Sequence, residues 1–100
     1  MDTLEVLILK ELSLNEQSVD FGLATIQLRA HGTGDRRWSG VILSHRLDGH
    51  DWSGDVLHMA GETDDGRRVE GSALAWTDRS VQGELRLRGT EPLRLGYEEW

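Results

Sequence analysis

Cysteine is absent from this sequence, which excludes a disulfide framework, a thiolate nucleophile and a cysteine-type zinc site. Stability therefore has to come from packing. Proline occurs once and lysine once, as Lys10, so nearly all the positive charge is arginine. No run of about 18 apolar residues is present to span a bilayer, and the N-terminus lacks the basic stretch and apolar core of a signal peptide. The expectation is a soluble, cytoplasmic chain without a membrane partner. Positive charge is also in deficit: 11 basic residues against 18 acidic ones give a formal charge of -7. That balance opposes general attraction to nucleic acid. One hundred residues fit a single domain with one modest core.

What is abundant is glycine, 12 residues in all, and its placement repeats. "FGLATIQLR", "RRWSGVILSH", "HDWSGDVLHM", "RRVEGSALAW" and "RSVQGELRLR" each set a glycine before a mainly apolar stretch. The glycines, at 22, 40, 54, 71 and 83, are unevenly spaced, unlike the fixed period of a solenoid. Turn sequences fall between them: "HGTGD", "LDGHD", "TDDGRR" and "TDRS". The chain reads as strands near 21 to 31, 36 to 46, 52 to 60, 67 to 77 and 80 to 89, with a short one near 93 to 97. The fold class expected is all-β: a small antiparallel meander of six or seven strands, curved into a barrel or a two-layer sandwich, with strand glycines allowing the bends. Residues 3 to 12 alternate Leu4, Val6 and Ile8 as a strand does, but Leu4, Leu7, Ile8 and Leu12 also satisfy a helical stripe; strand is the preferred reading.

Alternation from each glycine selects one sheet face: Ala24, Ile26 and Leu28; Ile42 and Ser44; Val56 and His58; Ala73 and Ala75; Leu85 and Leu87. This is the expected core. Val41, Leu43, Leu57, Met59, Leu74 and Trp76 then form a second apolar face, large enough to call for cover by a homo-oligomer or protein partner. Trp38 and Trp52 fall on the glycine side, where a large ring covers the gap that a missing side chain leaves.

No catalytic group announces itself. The histidines of "SHRLDGHDWSGDVLH" do not converge in a hairpin through Asp48-Gly49, which places His45 opposite Trp52 and His58 opposite Ser39; no metal site is expected. Nor does any motif call for a cofactor. In a meander, Arg36, Arg37, Arg67, Arg68, Arg86 and Arg88 lie toward one end of the sheet, approached by Arg29 and His31. Arginine forks match carboxylate or phosphate oxygens, so Arg36, Arg37, Arg67, Arg68 and Arg88 are candidates for holding an anion or an acidic partner. Local neutralisation by Asp35, Glu62, Asp64 and Asp65 is the competing reading. The tail "GYEEW" either frays or docks Tyr97 and Trp100 on a neighbouring subunit.

"ATIQLRAHGTGDRRWSG" contains an Asp-Arg-x-Trp-x-Gly turn entry after a strand, and "VQGELRLRGTEPL" holds a late Gly-x5-Gly strand before proline. Together these resemble an uncharacterised actinobacterial all-β domain family found alone or fused behind flavin monooxygenases. The resemblance implies a small β domain and transfers no catalytic residue. The function expected is a non-catalytic interaction module or accessory subunit that self-associates or binds a protein. The alternative is a small-molecule-binding barrel, an isomerase or cyclase working by cavity shape, with Ser44, His58, Ala73 and Ala75, beneath Trp38 and Trp52, lining its cavity.

Overall fold

A computed structural model of the chain describes residues 3–32, 35–44, 54–77 and 83–100. Its elements are all strands: β1 (Thr3–Leu14), β2 (Gln17–Ser18), β3 (Leu23–His31), β4 (Asp35–Leu43), β5 (Val56–Thr63), β6 (Arg68–Trp76), β7 (Glu84–Gly89), β8 (Arg94–Leu95) and β9 (Glu98–Glu99). Every pairing is antiparallel, and β1, β3, β4, β7, β6 and β5 close into a six-stranded barrel, with β2, β8 and β9 outside it. Of the two expected all-β closures, barrel and two-layer sandwich, the barrel is the one formed, with a strand order that departs from the expected meander, and residues 3 to 12 are strand. Among the described residues there is no helix.

Among the six barrel strands the chain departs from sequential order once. β1, β3 and β4 are successive neighbours, but β4 turns to β7 rather than β5, and β5 lies beside β1. Three consecutive strands with the fourth returning to the first is a Greek-key arrangement. Ser39 consequently pairs with Arg88, and His58 with Ser72, not with each other as a simple hairpin requires. The Asp48-Gly49 turn and Trp52 lie outside the described residues.

Closure depends on β1 changing partners. Its first half pairs with β3, from Thr3↔Ala30 to Ile8↔Thr25, and its second half with β5. The register slips between Leu9↔Thr63 and Glu11↔Glu62, leaving Lys10 as an extra residue. Such a bulge bends the strand and resets which side chains face inward. Leu7 and Leu9 point to the core before it and Leu12 and Leu14 after it. Leu4, Val6 and Ile8, the alternating triplet visible in the sequence, face outward at 61, 51 and 47% exposure. Beyond β1, Asn15 and Glu16 take left-handed angles (φ 50° and 68°) in the two-residue turn to β2. The Asn15 side chain there accepts a 2.9 Å hydrogen bond from the His58 backbone N–H.

The interior holds the expected Ala24, Ile26, Leu28, Ile42, Ser44, Ala73, Ala75, Leu85 and Leu87, all buried. β5 is the exception. Val56 is 61% exposed and His58 also faces solvent, while Leu57 and Met59 are buried in the core. The frame taken from Gly54, which sits in a turn at φ +87° before the strand begins, does not hold in β5, where Leu57 and Met59 set the inward side. Leu57 and Met59 thus leave the list of interface candidates.

Trp38 completes the core from β4, at 6% exposure. Its indole fills the space that side chains would take at Gly71 and Gly89, on the neighbouring strands β6 and β7, rather than the gap at its own Gly40. The ring N–H donates to the Glu91 carbonyl at 2.7 Å, which satisfies the one polar atom of a buried indole.

Candidate functional site

The outer face of β3, β4 and β7 gathers arginines from all three strands. Outward positions follow from the pleat: Gln27 and Arg29 on β3, Arg37, Ser39 and Val41 on β4, Arg86 and Arg88 on β7. The register sets them in rows. Arg29 faces Arg37; Gln27, Ser39 and Arg88 share the next row, continuing to Leu74; Val41 and Arg86 the next, continuing to Trp76. These rows floor a groove of about 1060 Å³ that Arg36 and Trp100 border at its lower end.

Two like charges directly opposite on an antiparallel pair are destabilising on their own, yet Arg29 and Arg37 are so placed. Arg29 reaches Gln27 Oε1 at 3.5 Å. Arg86 pairs with Glu84 beside it and lies 5.9 Å from the Trp76 ring centre. Arg36 donates to the Glu99 carbonyl at 3.3 Å and sits 5.4 Å from the Trp100 ring centre, in range for cation–π attraction. Arg29, Arg36, Arg37, Arg86 and Arg88 therefore gather in one groove on a chain whose total charge is -7.

Of the five predicted arginines, Arg36, Arg37 and Arg88 meet here and two do not. Arg67 is held elsewhere by Asp65, with its Nε 3.0 Å from Oδ2, and by Glu5 at 3.6 Å. Asp65 accepts a hydrogen bond from Thr63 as well, and these bonds hold its carboxyl below the ordinary carboxylate range. Arg68 borders a separate depression of about 630 Å³ with Lys10, Glu62 and Asp20. Lys10 pairs with Glu62 at 2.9 Å. Neutralisation thus operates at Arg67 through Asp65. Arg29 and Arg86 join the site because β3 and β7 flank β4, a pairing that brings sequence-distant arginines together.

The residues assigned to a cavity do not share one. Ala73 and Ala75 are packed inside the barrel, and Ser44 donates its hydroxyl to the Asp20 carbonyl. His58 is outside, with Nε2 3.0 Å from Glu70. Of the expected second apolar face, Val41, Leu43, Leu74 and Trp76 do point outward. Trp100 is tied to Leu93 by two backbone hydrogen bonds, 2.6 and 3.0 Å, and packs on its own barrel, while Tyr97 is fully exposed. Among the described residues no three metal-ligating side chains converge.

No protein-family model matches the chain, and neither a curated protein nor a solved structure is significantly similar to it.

Proposed function

We propose that the protein is a non-catalytic interaction module, an accessory subunit whose working surface is the groove over β3, β4 and β7, and that an anionic group of its partner docks there. The observation that carries this reading is the facing pair Arg29 and Arg37 with Arg88 in the adjacent row. A bound carboxylate or phosphate accepts charge-assisted hydrogen bonds from guanidinium groups gathered in this way. Trp38, Trp76 and Trp100 border the groove and report on it. Pyrophosphate is expected to change tryptophan emission saturably, and Arg37→Glu with Arg88→Glu to weaken its binding by about 10- to 100-fold, as loss of charged hydrogen bonds implies. An emission response that is absent, or that survives the double reversal, overturns the reading.

Self-association has its own support in Leu4, Val6 and Ile8, three large apolar side chains in line on the outer face of β1. Val6→Lys is expected to abolish any concentration-dependent dimer seen by sedimentation velocity. Monomeric wild-type protein at every concentration removes this second reading.

A further inference from the structure

Building on the anion-groove reading, we infer that the groove's occupant is an extended acidic segment of a partner polypeptide whose carboxylates fall on every second residue. The spacing of the cations points there. Arg86 and Arg88 are two residues apart on β7, and Arg37 on β4 lies one same-side step further along, since Ser39, two residues from it, is opposite Arg88. Three consecutive outward rows therefore each present a guanidinium, with Arg29 doubling the last. Same-side positions in a strand repeat at roughly 6.6 Å. An extended chain lying along β7 repeats its own same-side side chains at that interval, so alternate glutamates or aspartates meet successive rows without stretching.

A single nucleic-acid strand has similar charge spacing, but it needs free aromatic faces for its bases. Here Arg36 lies over Trp100 and Arg86 over Trp76.

The test compares labelled peptides of about ten residues, one alternating glutamate and threonine and one with the same composition in two blocks. Fluorescence anisotropy against wild-type protein should show the alternating peptide binding at least about fivefold tighter, with an affinity that falls as salt rises. Arg86→Gln with Arg88→Gln, both exposed, should erase the preference while the circular dichroism spectrum is unchanged. Equal binding of the two peptides overturns the alternating-segment inference, and pyrophosphate binding measured in parallel shows whether the anion groove still stands. Tighter binding of an oligothymidylate of similar length overturns the inference in favour of a nucleic-acid occupant. If neither peptide nor pyrophosphate binds, inference and groove reading fall together.

Discussion

Trp38→Ala is expected to lower the unfolding free energy by about 4 kcal/mol, within the range for deleting a buried tryptophan. The indole is the wedge between β4, β6 and β7: it occupies the room left at Gly71 and Gly89 and ties β4 to the segment after β7 through Glu91. Alanine leaves a cavity against two residues that have no side chains to collapse into it, and an unpaired Glu91 carbonyl. For a domain of this size the loss corresponds to a fall in melting temperature of roughly 15 to 30 °C. Urea unfolding measures it directly. A loss below about 1.5 kcal/mol would show that the strands close over the gap. The partner substitution gives a sharper check. A methyl at Gly89 would overlap the Trp38 indole at its ring nitrogen, so Gly89→Ala alone is expected to cost about 2 kcal/mol by overpacking. Placed on Trp38→Ala, the same methyl enters an empty space and should cost little. Additive losses in that cycle would mean that the two residues do not share one packing site.

How much of this architecture the amino-acid pattern discloses depends on the range of the interaction. β3, β4, β6 and β7 are legible because each alternates about a glycine or ends at an Asp-Gly or Gly-rich turn, which are local signals. β1 is not: Leu4, Val6 and Ile8 compete with Leu7 and Leu9, and a strand apolar on both faces does not declare its inward side. Its bulge at Lys10 shifts the frame without any marker in its own sequence, since the residue that permits it, Gly61, is on β5. The groove shows the same division. That Arg29 faces Arg37 follows from the β3–β4 hairpin alone, whereas adding Arg86 and Arg88 needs the β4–β7 pairing, a contact across more than 40 residues. Arg67 looked equivalent to Arg37 as half of an Arg-Arg pair opening a strand. Asp65, two residues away in the turn, captures it, and a turn's own hydrogen bonds are not visible in charge counts.

Gly61→Ala is the second substitution expected to be severe, at about 3 kcal/mol. A methyl there lies 2.5 Å from the Glu11 carbonyl oxygen and 3.6 Å from the Leu12 Cα. Both are main-chain atoms, so no change of rotamer relieves the contact. The bulge itself has to move. Because the bulge turns Leu12 and Leu14 inward after Leu9, displacing it loosens the β1–β5 seam that closes the barrel. Hydrogen exchange locates the damage: amides of Leu12 to Leu14 and Met59 to Thr63 should lose protection, while β3 and β4 amides exchange near the global rate. Gly66 serves as the comparison, since a methyl there meets nothing within 4 Å and only its left-handed angle, φ +90°, opposes alanine. Gly66→Ala should cost about 1 kcal/mol, the strain of that backbone region alone. Equal losses at the two positions would show that the approach of the Glu11 carbonyl is not what demands glycine in β5, and that the barrel closes without the bulge pressing against it.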